Sequence, residues 1–347
     1  MKIVNYNSLG YSTIFNRKTG FFARVEHEKG KEPFWAPHGP ELIDISITNW
    51  CDKNCSFCYR KSDPYGQHML FSDYKKIIDH AAKCGCNQVA LGGGNPNQHP
   101  EFINILKYTH NAGIVPNYTT NGRGITDEII KATAQYCGAV AISAYKPYNS
   151  IQPIISAFVA NSIKTNIHFL LDNTSINLAI DWLKSPPSFL RGINAIVFLN
   201  YKPIGRKVVH NKLLKNSAHL NDFFNLSTKN RHPFKIGFDA CCISGLVKYT
   251  DSPNAFIDAC DAGRFSMFIS EDMKAYPCSF QKEIHAGDPI PFDGNFSTIW
   301  RDSENFKKFR DYFHSDKCYG CEKKTLCMNG CPIFDELPLC GKATTKA

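Results

Sequence analysis

Cys51, Cys55 and Cys58 stand in the run Thr48-Asn49-Trp50-Cys51-Asp52-Lys53-Asn54-Cys55-Ser56-Phe57-Cys58-Tyr59. Three thiolates at this spacing can hold three irons of a [4Fe–4S] cube from one short loop, leaving the fourth iron without a protein ligand. An open iron on a low-potential cluster can bind a substrate and reduce it, rather than merely store an electron. A second group, Cys318, Cys321, Cys327 and Cys331, lies near the other end, followed by Cys340. With 15 cysteines in 347 residues, a chance CxxxCxxC arises in roughly 3% of shuffled chains and the second spacing in about 0.1%. Two such groups in one chain are not an accident of composition.

The elements that must position these thiols follow from the apolar pattern. Ile43, Ile45 and Ile47 alternate with Asp44, Ser46 and Thr48, which predicts a strand leading straight into the first cysteine loop. Further strands are predicted from about 87, 114, 139, 167 and 195, each followed by a helix or helical crossover. Ser72 reads as the N-cap of the first helix and Thr126 as that of a later one, with Asp127 and Glu128 in its first turn. Repeated strand–helix units argue for a parallel α/β sheet, and right-handed crossovers curl it into a partial (β/α)6 TIM-like barrel. Functional residues then gather at the carboxyl ends of the strands. Cys51–Cys58, Gly93–Pro96, Thr119–Gly122, Ser143 and Pro203–Arg206 all fall there.

Three domains are expected: an N-terminal hairpin preface over 1–41, the partial barrel over 42–235, and a small cysteine-rich iron–sulfur domain over 236–347. The last is poor in regular apolar pattern, so metal ligation would hold it together.

Composition excludes other classes. The formal charge is +9, but it assumes neutral thiols, and thiolate ligation removes several positive charges. Arg24, Lys53, Lys75, Lys131, Lys202, Lys248 and Lys307 are scattered rather than massed, so nucleic acid is not expected as a partner. No cationic n-region with an apolar core opens the chain and no apolar run approaches ~18 residues. A soluble, cytoplasmic protein with no membrane partner is expected, its cysteines serving as ligands in a reducing compartment rather than as disulfides.

The triplet followed by Tyr59 resembles the signature of the radical S-adenosylmethionine (SAM) superfamily, and the C-terminal cysteines resemble its SPASM domain. The run Gly93-Gly94-Asn95-Pro96-Asn97-Gln98-His99-Pro100-Glu101-Phe102 is similar to the family's GGEP…HPxF segment. The resemblance implies three [4Fe–4S] clusters, one SAM-binding and two auxiliary. It places Tyr59, Gly93, Gly94, Asn95, Pro96, Thr120, Asn121 and Ser143 at SAM. It assigns Cys318, Cys321, Cys327 and Cys340 to the second auxiliary cluster, and Cys260, Cys278 and Cys331 to the first. Three departures stand out. Asn95 replaces a glutamate that pairs with the SAM ammonium, so charge assistance is lost. Met273 replaces a glycine. The first auxiliary cluster lacks an obvious fourth ligand, for which Cys241 or Cys242 is nearest.

Several residues have a plainer reading. The C-terminal thiols could hold structural zinc. Cys84, Cys86 and Cys137 read as small buried hydrophobes, His99 as a capping residue, and Asn95 as a support of the glycine turn. Tyr145 and Arg206 sit at strand ends, as substrate contacts or ordinary surface. Asp239 is a proton acceptor or a turn cap.

The expected activity is an oxidoreductase's: reductive cleavage of SAM and hydrogen abstraction from a peptide or protein side chain. The resemblance implies maturation of a ribosomally made peptide (RiPP) by oxidative crosslinking, with flavodoxin or ferredoxin as reductant. The 41 residues ahead of the barrel are too few for a winged-helix leader-recognition module of about 80–90 residues. Leader capture then falls to a separate protein, the hairpin or the barrel. Rival readings are formylglycine formation of the anaerobic sulfatase-maturase type, which needs a basic carboxylate. Peptide epimerisation would need a hydrogen donor such as Cys241 or Cys242, and a non-catalytic iron–sulfur or zinc scaffold would need neither.

Overall fold

The computed structural model describes residues 1–30, 32–229, 231–251, 257–284, 290–292 and 295–341. Its first strands, β1 (Lys2–Tyr6), β2 (Tyr11–Phe15) and β3 (Phe22–Glu26), form an antiparallel sheet in that order. The β2–β3 hairpin is the expected one, and β1 is an addition. Its apolar Ile3 faces solvent while Lys2 points inward, a reversed pattern that hides the strand in the sequence.

The six strands anticipated for the barrel all form: β4 (Leu42–Thr48), β5 (Gln88–Gly93), β6 (Val115–Thr120), β7 (Val140–Ala144), β8 (Thr165–Leu171) and β9 (Ala195–Asn200). Between them run α1 (Phe71–Lys83), α2 (Phe102–Asn111), α3 (Asp127–Tyr136), α4 (Gln152–Ala160) and α5 (Ile176–Lys184). Thr126 caps α3, its hydroxyl accepting the Ile129 N–H at 3.4 Å. Ser72 does not cap α1. That helix starts two residues earlier, after Leu70, with no side-chain cap.

The strands pair in parallel from β4 to β9, and the sheet continues beyond both ends. After α6 (Leu220–Ser227), β10 (Lys235–Phe238) adds in parallel to β9, and α7 (Ile243–Tyr249) follows. β11 (Ser266–Ile269) adds in parallel to the far edge, on β4, and β12 (Lys274–Tyr276) and β13 (Ile290–Pro291) complete it antiparallel. Strand pairing therefore crosses the anticipated boundary at residue 235. The sheet stays open, as a partial barrel does. Met273, at the β11–β12 turn, takes φ 56°, a left-handed conformation that costs any residue but glycine.

One face of the sheet packs under the helices, with Ile43, Val89, Ile142, Phe169 and Phe198 all buried. Burying each such side chain contributes about 1.5–3 kcal/mol. The alternate residues of each strand line the concave side, where Asp44, Gly92, Ser143 and His168 remain partly accessible. That lumen opens at the carboxyl ends of the strands. Among the described residues no helix is long and apolar enough to cross a membrane.

Candidate functional site

The cysteine loop leaves β4 and is fixed by main-chain contacts from three directions. Within it, the Cys51 N–H donates to the Asp63 carbonyl at 2.9 Å and the Cys58 N–H to Cys55 at 3.2 Å. From β5, the Gly94 N–H donates to Thr48 at 2.7 Å and the Asn95 N–H to Trp50 at 3.0 Å. A Cβ at Gly93, whose φ is +112°, would sit 1.9 Å from the Thr48 carbonyl oxygen. Beyond β9, a Cβ at Gly205 would sit 2.5 Å from the Cys58 carbonyl oxygen. Glycine is required where two backbones approach this closely. Gly93 and Gly94 thus seat the loop itself.

Arg206 is part of the same clamp. Its Nη1 donates to the Cys55 carbonyl at 2.7 Å, its Nη2 to Lys61 and Ser62 at 2.9 Å each, and its N–H to Cys58 at 3.1 Å. The guanidinium is committed to the loop rather than turned toward a substrate.

Asn95 supports the glycine turn. It is fully buried, and both its N–H donors are spent within the protein. Nδ2 donates to Gln98 Oε1 at 2.8 Å and to the Arg123 carbonyl at 3.1 Å. Oδ1 accepts the Asn121 N–H at 3.1 Å and lies 3.2 Å from Thr120 Oγ1. A hydroxyl has one proton to donate, and Thr120 directs it to Asn97 Oδ1 at the shorter 2.6 Å; Pro96 is buried in the same turn. Together they tie the end of β5 to the end of β6. Asn121 emerges from this knot toward the triplet, its Nδ2 lying 3.5 Å from Cys51 Sγ.

Tyr145 approaches from β7. Its ring packs 4.7 Å from Phe57 with Lys53 Nζ 5.1 Å from the ring centre. Burial raises the pKa of its hydroxyl, opposed by a hydrogen bond with Ser143 and reinforced by Cys55 and Cys58. Tyr59 turns the other way and packs 4.8 Å from Phe280 of α8 (Ser279–Ile284).

The C-terminal thiols sort into two sets. The pKa of Cys241 is raised by Cys331 first and by burial second. Burial raises Cys260, reinforced by Cys278 and Cys241. Burial pushes Cys278 up to about 12, and Cys241 adds to it. These relations draw Cys241, Cys260, Cys278 and Cys331 into one neighbourhood. Burial likewise pushes Cys327 up to about 12, with contributions from Cys340, Cys318 and Cys321. Desolvated thiols of this kind suit a cationic group that binds them as thiolates. Among the described residues no three His, Cys, Asp or Glu side chains converge closely enough for a single metal ion, whereas structural zinc needs four at once.

Cys242 has a different fate from its neighbour. It is fully buried in the main apolar core. Asp239 is also engaged: it forms an ion pair with Lys202 and accepts the Asn200 N–H at 3.2 Å. His99 is buried as a packing residue and does not cap α2, which follows Glu101 without a side-chain cap; its Nδ1 accepts the Glu101 N–H at 3.0 Å. Cys86 is buried, and Cys84 and Cys137 pack against the core.

Two features were not singled out from the sequence. Arg60, 3% exposed, pairs with Glu271 at 2.5 Å and Glu283 at 2.7 Å. Burial alone would raise Glu271, but Arg60 and Lys282 outweigh it and hold the carboxyl below its ordinary range. This buried network locks the cysteine loop onto the C-terminal part of the sheet. Asp44 and His168 are the second feature, ionisable groups on the lumen wall with no motif around them. An ionisable residue at an inward position of a predicted strand was the available signal.

Comparison with known proteins agrees with this geometry. The profile of the radical SAM superfamily matches residues 45–164, and that of the SPASM iron–sulfur cluster-binding domain matches 260–322. The AdoMet-dependent heme synthase of Methanosarcina barkeri is 24% identical over 325 residues, 85% of this chain and 91% of that protein. The mycofactocin maturase MftC of Mycolicibacterium smegmatis is 24% identical over 329 residues, 87% and 81% respectively. Streptococcus suis SuiB bound to S-adenosylmethionine superposes with a TM-score of 0.67 at 18% identity, covering 85% of this chain and 73% of that one. The protein anSMEcpe with bound AdoMet and the Cp18Cys peptide gives 0.62 at 16% identity, covering 84% and 89%. At these identities the superpositions speak for the fold.

Proposed function

Because the chain is a radical SAM superfamily enzyme with a SPASM domain, we propose that it matures a ribosomally made peptide by joining side chains oxidatively. Cys51, Cys55 and Cys58 would hold the SAM-binding cluster, Cys241, Cys260, Cys278 and Cys331 the first auxiliary cluster, and Cys318, Cys321, Cys327 and Cys340 the second. When bound, these groups supply the electron that cleaves SAM to a hydrogen-abstracting radical and an outlet for the electron left over.

The chain's own residues do the positioning. Arg206 and Gly205 hold the Cys55–Cys58 backbone, and Asn121 offers an N–H to the Cys51 sulfur. Ser143 and Tyr145 wall the lumen beneath the loop. The fold keeps solvent from the bound peptide, which protects a reactive intermediate.

One observation carries the reading. The loop that carries the triplet meets the C-terminal region through Tyr59, whose ring packs 4.8 Å from Phe280, two residues after Cys278. Four protein ligands would close the first auxiliary cluster, which suits electron transfer better than substrate binding. MftC, a maturase by name, supports a peptide substrate, as does SuiB, which has been crystallised with its precursor peptide SuiA. A flavodoxin or ferredoxin would deliver electrons, and a separate protein or the β1–β3 sheet would capture a leader.

Of the residues first considered as proton acceptor or hydrogen donor, Asp239 is paired with Lys202 and Cys242 lies in the core. Anaerobic reconstitution should give about twelve irons per chain, and reduced protein with SAM should release 5′-deoxyadenosine. Co-expression with a short peptide encoded nearby should yield a product lacking two hydrogens. An aldehyde, or an unchanged mass with an inverted residue, would reject crosslinking in favour of a rival.

A further inference from the structure

The part of the lumen around Asp44 is built unlike a packed barrel interior. Barrel cores are ordinarily filled by branched side chains. Here the neighbours of Asp44 in register are Ala90 on β5 and Phe268 on β11. One step along β5, a Cβ at Gly92 would meet nothing within 4 Å. Space is left open beside a carboxylate.

That carboxylate has no hydrogen bond or ion pair among the described residues. Its electrostatic neighbours are Tyr59, adjoining Cys58, and Cys278. Asp44 is thus within electrostatic reach of both Tyr59, at the end of the triplet loop, and Cys278 of the four-thiol set.

Lys202 is paired with Asp239, and Arg60 with Glu271 and Glu283. Burial lowers His168 to about 4, so its ring is neutral. Burial pushes Asp44 up to about 6, still ionised at neutral pH and without an internal cation. An uncompensated charge in a desolvated site is unfavourable, and a cation brought to it gains more there than in water.

We propose that Asp44 anchors a cationic side chain of the substrate, a lysine amine or an arginine guanidinium, in the lumen. This rests on the reading that the substrate is a peptide. The amine or guanidinium would donate charge-assisted hydrogen bonds to the carboxylate, and the open space at Ala90 and Gly92 would take its aliphatic stem.

Fluorescein-labelled pentapeptides with alanine at four positions and lysine, norleucine or glutamate at the centre test this. They are titrated by anisotropy into the anaerobically reconstituted protein with SAM. The lysine peptide should bind about tenfold tighter than the norleucine peptide, and Asp44→Asn should bring the two within about threefold. Equal affinities in the wild type, no measurable binding of the lysine peptide, or a preference that survives Asp44→Asn overturns the anchor. Were Asp44 a proton acceptor instead, the three peptides would not be ranked by charge. If Asp44→Asn does not fold, the wild-type ranking decides alone. Peptide-free release of 5′-deoxyadenosine by the reduced wild type is read in parallel. Release without a lysine preference sinks the anchor only, and no release sinks the radical SAM activity.

Discussion

Cys51, Cys55 and Cys58 sit on one short loop, whereas Cys241, Cys260, Cys278 and Cys331 come from four separated stretches of chain. The loop is seated by main-chain approaches that only Gly93 and Gly205 permit, and by an arginine spent entirely on carbonyls. The four-thiol set has no such local frame. Its members flank strands that extend the sheet at opposite edges, Cys241 after β10 and Cys260 and Cys278 on either side of β11 and β12. The difference is instructive. Three ligands from one loop would leave a vertex of a bound cube free, and four from separated stretches would close theirs.

The sharpest test of that contrast is Cys55→Ala. It should abolish 5′-deoxyadenosine release while retaining about eight irons per chain; loss of all iron would mean that the two regions assemble together. Next comes the neighbouring pair. Cys241→Ala should remove about four irons, whereas Cys242→Ala should keep all iron and cost about 1 kcal/mol in denaturant unfolding. If the two variants lose iron alike, the four-thiol set is wrong.

Arg60→Ala probes the joint between the regions. It leaves Glu271 and Glu283 buried without their shared cation, which should cost about 3–5 kcal/mol by chemical denaturation. The smallest effect is expected at Asn121. Asn121→Ala withdraws an N–H from the Cys51 sulfur, so the midpoint potential of that cluster should fall in a redox titration while the auxiliary clusters stay unchanged.

Much of this could be read from spacing. Contiguity makes the Cys51–Cys58 triplet a ligand set whatever surrounds it, and alternation at 42–48 or 165–171 fixes a strand and its faces. β10 and β11 escaped because four residues each are too few for a period to emerge. Asn95 was legible as a departure but not as a buried tie between strand ends, since its partners Arg123 and Asn121 arrive from another strand end.

What the chain determined by itself is therefore whatever neighbours along the backbone can settle: the open triplet, the strand order from β4 to β9, and the glycines beside the loop. Tertiary structure alone separated Cys241 from Cys242, sending one thiol to its set and the other into the core. Adjacent residues in a 3-10 turn point in different directions, and which direction meets sulfur depends on Cys331, far along the chain. It also decided that Asp44 would be left without a counter-charge, because a strand's period says which way a side chain points and nothing about what waits on the other side.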